Sequence, residues 1–162
     1  MTYAIVYSSR TGNTEKLART IREALPERNC IYYGGPDAKA LEADMIYLGF
    51  WTDKGSCDES CAEFIKSLSC QKLFLFGTAG FGGAPAYFEQ ILDRVKSKLG
   101  SGVTVVGSYM CQGKMPMSVR ERYMQMEESP RRTAMLENFD AALSHPDAED
   151  LANLRETLLP NG

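Results

Sequence analysis

The stretch that decides the fold is Ile5-Val6-Tyr7-Ser8-Ser9-Arg10-Thr11-Gly12-Asn13-Thr14, followed at once by Glu15-Lys16-Leu17-Ala18. It begins as an apolar run of β character and ends in hydroxyls, an amide and one glycine. The next residues place Leu17, Ala18, Ile21, Ala24 and Leu25 at helical spacing. This pattern predicts a strand that enters an amphipathic helix through a short polar loop.

Such a loop is typical of a phosphate site, because a helix N-terminus exposes free N–H groups and a partial positive charge. Side chains add neutral donors, and Gly12 lets the backbone approach a ligand closely. The lysine of the Walker loop and the three glycines of the dinucleotide fingerprint are both absent. The loop therefore suits a nucleotide monophosphate held as a fixed cofactor. An ordinary strand-to-helix turn rich in capping residues is the alternative.

Composition bounds the class of protein. A chain of 162 residues with 44% apolar and 24% charged residues predicts one soluble globular domain over residues 1–162. No stretch is long and apolar enough to span a bilayer, and we see no signal peptide. The formal charge of −3 argues against a nucleic-acid partner. Five cysteines without export signals favour reduced thiols, so we expect a cytoplasmic protein.

Strand and helix patterns alternate along the chain. Strands are predicted at about 2–8, 30–33, 45–51, 73–76 and 103–106, and helices at about 13–25, 61–68, 88–99, 117–127, 135–143 and 151–158. The central runs are almost continuously apolar, as expected of parallel strands covered on both faces. The order predicts an α/β fold, a doubly wound parallel sheet with helices on both faces. Its ligand site is expected at the carboxyl ends of the strands.

The run Ser9-x-Thr11-Gly12-Asn13-Thr14 resembles the FMN phosphate loop of the flavodoxin family, and Ile5-Val6-Tyr7, Ala18 and Ile21 fit the family's N-terminal signature. The resemblance implies a flavodoxin-like sheet of five parallel strands in the order 2-1-3-4-5, of the short-chain type, with FMN as cofactor. It assigns the phosphate to Ser9, Arg10, Thr11, Gly12, Asn13 and Thr14.

The same resemblance assigns the flavin ring to the loops after strands three and four. The first loop supplies Phe50, Trp51, Thr52, Asp53, Lys54 and Gly55, and the second supplies Thr78, Ala79, Gly80, Phe81 and Gly82. Two aromatics at a strand end suit stacking on a planar ring, although either could simply close the core. Gly55 is the candidate for the family's peptide whose carbonyl accepts the N5–H of the reduced ring. Tyr109, Cys111 and Gln112 follow strand five and are further candidates.

No residue is singled out as catalytic, and no set of side chains has the spacing of a metal site. Cys57 and Cys61 are four apart at an expected helix start, hence on one face. With Cys111 nearby they would form a redox thiol cluster; the alternative is small buried residues. His145 precedes a proline and is expected in a turn or at the surface.

The resemblance implies an electron carrier, a monomer that docks on a redox partner protein, a reductase or an oxidoreductase. An acidic rim of Asp53, Asp58, Glu59 and Glu63, opposed by Lys54 alone, would steer docking. The alternative is an FMN-dependent NAD(P)H or quinone reductase, with Tyr109, Lys114, Arg120 and Arg122 lining a substrate cleft. A binding module without flavin is the third reading. The run 49–55 also resembles flavodoxin-like proteins that accompany anaerobic bilirubin reduction, which would name the partner.

Overall fold

The computed structural model describes residues 1–82 and 84–158. The strands are β1 (Tyr3–Tyr7), β2 (Cys30–Gly34), β3 (Met45–Asp53), β4 (Ser56–Cys57), β5 (Lys72–Ala79) and β6 (Thr104–Gln112). The helices are α1 (Asn13–Ala24), α2 (Glu59–Ile65), α3 (Pro85–Lys96), α4 (Met117–Met124), α5 (Pro130–Ala142) and α6 (Ala148–Leu158). Within these ranges no helix is long and apolar enough to cross a membrane.

Five of the strands form one parallel sheet in the order β2-β1-β3-β5-β6. This confirms the predicted order 2-1-3-4-5, once β4 is set aside. β4 pairs antiparallel with the end of β3, with Asp53 opposite Ser56. Lys54 and Gly55 connect the two strands with φ of 51° and 80°, the backbone of a two-residue hairpin turn. A strand of two residues has no periodicity, so the sequence could not predict β4.

Helices cover both faces of the sheet, as predicted. On one face α2 and α3 pack Phe64, Ile65, Ile91 and Val95 against the sheet. On the other, α1 and α6 contribute Leu17, Ile21 and Leu154. The strong one-sided apolar pattern of α1 is thus explained by its place in the second layer.

Strands three, four and five of the prediction end too early. In the structure they are β3, β5 and β6, which continue to Asp53, Ala79 and Gln112. Hydrophobic patterning missed these ends because each contains glycine, threonine or charged residues. The predicted ring-loop residues 50–53 and 78–79 therefore lie on strands, and so do residues 109–112. Strand backbone holds these positions more firmly than a loop would.

Phenylalanine and glycine alternate between neighbouring strands at the carboxyl end of the sheet. Phe76 of β5 pairs in register with Gly49 of β3, and Phe50 of β3 pairs with Gly77 of β5. Both rings are fully buried, one on each face. A Cβ added to Gly77 would lie 2.5 Å from the Phe50 ring, so only hydrogen fits there.

We expect Gly77→Ala to lower the free energy of unfolding by about 1–3 kcal/mol, the usual cost of overpacking a tight core. The Phe50 ring cannot move aside because it is enclosed on all sides. Gly100→Ala is the matched control, since nothing lies within 4 Å of its added Cβ. Urea unfolding followed by circular dichroism measures both. Equal stabilities of the two variants would contradict the packing described.

Candidate functional site

A cavity of about 320 Å³ opens at the carboxyl edge of the sheet. Four segments surround it: the loop after β1, the β3–β4 hairpin, the end of β5, and the turn after β6. Of the predicted site residues, the cavity is lined by Arg10, Thr11, Asn13, Trp51, Thr52, Asp53, Lys54, Gly55, Thr78, Ala79, Gly80 and Phe81. Ser9, Gly12, Thr14, Phe50 and Gly82 are not among its lining residues.

The loop after β1 presents backbone donors to this cavity. Gly12 is the N-cap of α1, with φ of 88° and open space around its α-carbon. The N–H groups from Arg10 to Thr14 have no acceptor among the described residues. The next N–H, that of Glu15, donates to the Ser9 hydroxyl at 3.3 Å. Five consecutive free donors at a helix start are an arrangement typical of anion sites.

Two side chains of this loop reach across to the turn after β6. Asn13 Nδ2 donates to the Lys114 carbonyl at 2.8 Å, and Thr11 Oγ1 lies 3.4 Å from the same oxygen. Asn13 is buried despite its polarity, which this bond explains. These contacts join the first loop to a segment a hundred residues away. Asn13 and Thr11 thus have a structural role beside the predicted one.

Thr14 does not point into the cavity. Its side chain is fully buried, and its hydroxyl donates to the Phe50 carbonyl at 3.1 Å and lies 3.3 Å from Thr78 Oγ1. The hydroxyl that the sequence assigned to phosphate is thus used to attach α1 to the end of β3. Only the backbone N–H of Thr14 remains for a ligand.

We therefore expect Thr14→Val, which removes the hydroxyl and keeps the branched shape, to destabilise the fold by about 1–3 kcal/mol. The Phe50 carbonyl would lose its buried partner. Thr104→Val, at an exposed position at the start of β6, should change stability by less than about 0.5 kcal/mol. Thermal and urea unfolding measure both. Wild-type stability combined with tenfold weaker FMN binding would instead place the hydroxyl on the phosphate.

The two aromatics at the end of β3 have different roles. Phe50 is fully buried and packs in the core against Gly77, so its side chain does not line the cavity to which the prediction assigned it. Trp51, the next residue, points to the opposite side and is half-buried in the cavity wall. The Arg10 guanidinium lies 5.5 Å from the centre of its ring. Strand alternation separates the two residues, and the sequence alone could not say which one faced the core.

The β3–β4 hairpin forms a second wall. Thr52 Oγ1 is buried and has no hydrogen-bond partner among the described residues, although Thr52 lines the cavity. The Gly55 carbonyl accepts a hydrogen bond from Arg94 Nη1 at 3.0 Å. Arg94 comes from α3, so this helix holds the tip of the hairpin. Any reorientation of the Gly55 peptide has to break that bond.

The end of β5 gives the third wall. Gly113 N–H donates to the Ala79 carbonyl at 2.9 Å, which joins β5 to the turn after β6. The Gly80 carbonyl accepts from Gln112 Nε2 and Asn138 Nδ2. Phe81 is 42% exposed at the cavity mouth. The Gln112 side chain packs against Gly82 and donates a hydrogen bond to the Gly80 carbonyl.

The turn after β6 contributes residues that the sequence analysis missed. They are Gly113, Met115 and Pro116, and the cavity is also lined by Val119 of α4 and Tyr87 of α3. The prediction named Tyr109, Cys111 and Gln112, and the structure places them elsewhere: the Tyr109 hydroxyl donates to the Asp150 carbonyl at 2.7 Å, and Cys111 is buried. These three residues were expected in a loop because the strand predicted at 103–106 is shorter than β6, which continues to Gln112. The signal available in the sequence was Gly113, the turn glycine that follows the strand.

The charge around the cavity is the reverse of the predicted rim. Asp58 is only 1% exposed because its carboxylate caps α2, accepting from the N–H groups of Cys61 and Trp51. The prediction that it belongs to an exposed acidic rim is therefore wrong. Arg10, Lys54 and Lys114 line the cavity against the single carboxylate of Asp53. A count of acidic residues in the sequence does not show which of them cap a helix.

The predicted thiol cluster exists in part. Cys57 lies in β4 rather than at a helix start, and its thiol interacts with that of Cys61 in α2. This interaction lowers the pKa of Cys57, whereas the same interaction and burial raise the pKa of Cys61. Cys111 belongs to the apolar cluster on the other face of the sheet, so it cannot join them. Burial raises the pKa of Cys111.

The contacts of His145 indicate a structural role. Its Nδ1 lies 2.6 Å from the Asp150 carboxylate, which also accepts from the Asp147 N–H at the start of α6. The hydrogen bond from the Asp150 N–H lowers the pKa of Asp147. These groups form the N-terminal cap of α6, in agreement with the predicted turn position of His145.

The comparison with known proteins settles the family. The sequence matches the flavodoxin domain family over residues 4–158. The chain belongs to the flavodoxin family. FMN is the cofactor that this membership implies.

Two curated relatives of this flavodoxin carry the name flavodoxin-like domain-containing protein BilS. The one from Clostridium symbiosum (strain WAL-14163) is 42% identical over 180 aligned positions, covering 98% of this chain and 95% of the relative. The one from Clostridioides difficile (strain CD3) is 30% identical over 159 positions, covering 91% and 88%.

Solved structures share the fold of this flavodoxin. A short-chain flavodoxin associated with a bacterial microcompartment superposes with a TM-score of 0.56 at 19% identity, covering 88% of this chain and 96% of that one. A flavoprotein in complex with FMN from Lactobacillus acidophilus NCFM has a TM-score of 0.53 at 15% identity, covering 67% and 92%.

Proposed function

We propose that this flavodoxin binds FMN and passes electrons to or from a partner protein. The observation that carries the proposal is the row of free N–H groups from Arg10 to Thr14, which opens onto a cavity walled by Trp51. The row suits a phosphate monoester, and the aromatic wall suits a planar ring.

The donor set fits FMN in chemical terms. Backbone N–H groups and the Thr11 hydroxyl would hold the phosphate, with no lysine required. The cavity of about 320 Å³ is of the size that small cofactors occupy in proteins. Trp51 and the backbone of Ala79 and Gly80 would contact the ring system. Thr52 also lines the cavity, and its buried hydroxyl has no hydrogen-bond partner among the described residues.

Bound FMN supplies one- and two-electron transfer, and the protein sets its potential. Arg10, Lys54 and Lys114 would stabilise negative charge on a ligand in the cavity, and Asp53 opposes them. This balance favours a higher potential than an acidic rim would give. The bond from Arg94 to the Gly55 carbonyl fixes the hairpin that borders the cavity.

Free thiols at all five cysteines support the predicted reducing compartment, the cytoplasm.

An FMN-dependent NAD(P)H or quinone reductase is the second candidate function. The three cations at the cavity favour it, because they would also suit the phosphates of a pyridine nucleotide. Of the predicted cleft residues, Lys114 lines the cavity, whereas Arg120 is paired with Asp140 at 3.1 Å. An enzyme of anaerobic bilirubin reduction stays a prediction for the partner of the carrier.

The binding proposal is tested by titrating apoprotein with FMN and following Trp51, the only tryptophan of the chain. We expect quenching that saturates at one FMN per chain. Riboflavin should bind at least about tenfold more weakly, since a hydrogen bond to a charged group contributes about 1.5–3 kcal/mol. Thr11→Ala should weaken FMN by about 1–3 kcal/mol and leave riboflavin unchanged. Thr104→Ala is the control. No quenching, or equal affinities for the two flavins, would contradict the proposed site.

The choice between carrier and reductase is tested on FMN-loaded protein under anaerobic conditions. For a carrier we expect stepwise chemical reduction to show two separate one-electron stages in the flavin absorption spectrum. NADH and NADPH should leave the spectrum unchanged. Rapid bleaching by either nucleotide, without a one-electron stage, would favour the reductase.

A further inference from the structure

Two cysteines flank the residue that begins α2. Cys57 ends the short strand β4, Asp58 is the N-cap of α2, and Cys61 lies in the first turn of the helix. The Asp58 carboxylate accepts a hydrogen bond from the Cys61 N–H at 3.2 Å, which draws this turn towards the end of β4. Both thiols are free, and they interact with each other. The proposed flavin chemistry uses neither of them.

The packing of the core encloses the two thiols together. Cys57 is 7% exposed and Cys61 is 1% exposed, and both belong to the apolar cluster that α2 and α3 form against the sheet. Folding has therefore already restricted the rotamers of both side chains. A bond between the two sulfur atoms costs little further conformational entropy.

The two thiols differ in acidity. The Cys61 thiol and, to a lesser extent, the Lys98 ammonium lower the pKa of Cys57. The interaction with Cys57 and burial raise the pKa of Cys61. Cys57 therefore ionises first, and it is also the more exposed of the two. Since the thiolate is the attacking form, Cys57 is the nucleophile of the pair and Cys61 is the second, resolving thiol.

Cys57 lies on a segment that opens locally. The strand β4 has two residues and pairs with the end of β3 through two residue pairs, Thr52 with Cys57 and Asp53 with Ser56. Breaking so short a ladder exposes Cys57 without unfolding the rest of the sheet. A small reagent can therefore reach this thiol in the folded protein.

Asp58 connects the thiol pair to the cavity. Its Oδ1 accepts a hydrogen bond from the Trp51 N–H at 3.3 Å, and its own N–H donates to the Trp51 carbonyl at 3.1 Å. Asp58 is 1% exposed, so both bonds are shielded from water. Trp51 lines the cavity. A covalent bond between the residues on either side of Asp58 therefore acts on the backbone of Trp51.

We propose that Cys57 and Cys61 form a reversible disulfide by exchange with a low-molecular-weight disulfide, and that its formation shifts the backbone of Trp51 in the cavity wall. The inference goes beyond the proposed flavin function, and its tests need no flavin. In a reducing compartment the pair remains as two free thiols, and it closes when small disulfides accumulate.

The exchange proceeds in two steps that balance. The Cys57 thiolate attacks one sulfur of the small disulfide RSSR, forms a mixed disulfide and releases RS⁻, which takes up the proton that Cys57 lost. Cys61 then gives up its proton, and its sulfur attacks Cys57 Sγ and displaces the second RS⁻, which becomes the second RSH. The protein dithiol loses two electrons, and the small disulfide gains them.

The first test locates the bond. The full chain, without added flavin, is equilibrated with glutathione disulfide, quenched in acid, alkylated at its free thiols and digested with trypsin. Cleavage after Lys54 and Lys66 gives a peptide over residues 55–66 that contains both cysteines. We expect this peptide to lack both alkyl groups and to weigh two hydrogen atoms less than the reduced peptide. A second cut after Glu59 should leave two pieces that stay joined until dithiothreitol is added.

The exposed Cys70 is the internal control of this mapping, because it reports whether the reagent reacted. Alkyl groups on both Cys57 and Cys61, in protein whose Cys70 carries glutathione, would overturn the proposal. Glutathione that stays on Cys57 without a bond to Cys61 would overturn it as well.

The second test measures what the fold contributes. The equilibrium constant for oxidation of Cys57 and Cys61 is measured in glutathione buffers, in folded protein and in concentrated urea. We expect a constant at least about tenfold larger in the folded protein, because the fold holds the two sulfur atoms together. An equal or smaller constant in the folded protein would show that the fold does not favour the bond, and would overturn the proposal.

The third test follows the Trp51 backbone in ¹⁵N-labelled protein. We expect the Trp51 amide signal to shift on oxidation and to return with dithiothreitol. Cys57→Ala and Cys61→Ala each remove the disulfide from one side, and either folded variant should lose the change. Cys111→Ala, which removes a buried thiol on the other face of the sheet, is the matched control and should retain it. A disulfide that forms while the Trp51 signal stays in place would refute the connection to the cavity.

Discussion

The reciprocal pairing of phenylalanine and glycine between β3 and β5 is the constraint on which the site depends. Phe76 fills the space above Gly49 on one face, and Phe50 fills the space above Gly77 on the other. The absence of a Cβ at Gly49 also lets α1 approach, since an added Cβ would lie 2.9 Å from a methyl group of Thr14. The hydroxyl of Thr14 then binds the Phe50 carbonyl. The position of the loop over residues 9–14 therefore depends on the packing of these two strands.

The charge distribution distinguishes this site from a rim built on carboxylates. Two of the acidic residues after β3 are engaged elsewhere. The Asp58 carboxylate caps α2, and Glu63 forms an ion pair with Lys66 on the outer surface of that helix. Arg10, Lys54 and Lys114 line the cavity instead. Cations in this position stabilise negative charge on a ligand.

The sequence predicted the fold and most of the cavity because local patterns carried that information. Strand order followed from the resemblance, and the turn chemistry of residues 9–14 predicted the loop whose free N–H groups lie at the cavity. Patterning could not say that Phe50 faces the core and Trp51 the cavity, since both neighbours are aromatic. It could not show that Asp58 is a helix cap. The bond from Asn13 to the Lys114 carbonyl depends on how distant segments meet, which no local pattern encodes.

The loops around the cavity are glycine-rich, and each is held by a side chain from elsewhere. Asn13 holds the Lys114 carbonyl, Gln112 and Asn138 hold that of Gly80, and Arg94 holds that of Gly55. Glycine permits close approach to a ligand at the cost of backbone entropy, and these bonds offset the lost rigidity. The first three bonds are partly buried, whereas the bond from Arg94 is exposed to water, where it is weaker. Movement within the site should therefore concentrate at the Gly55 hairpin.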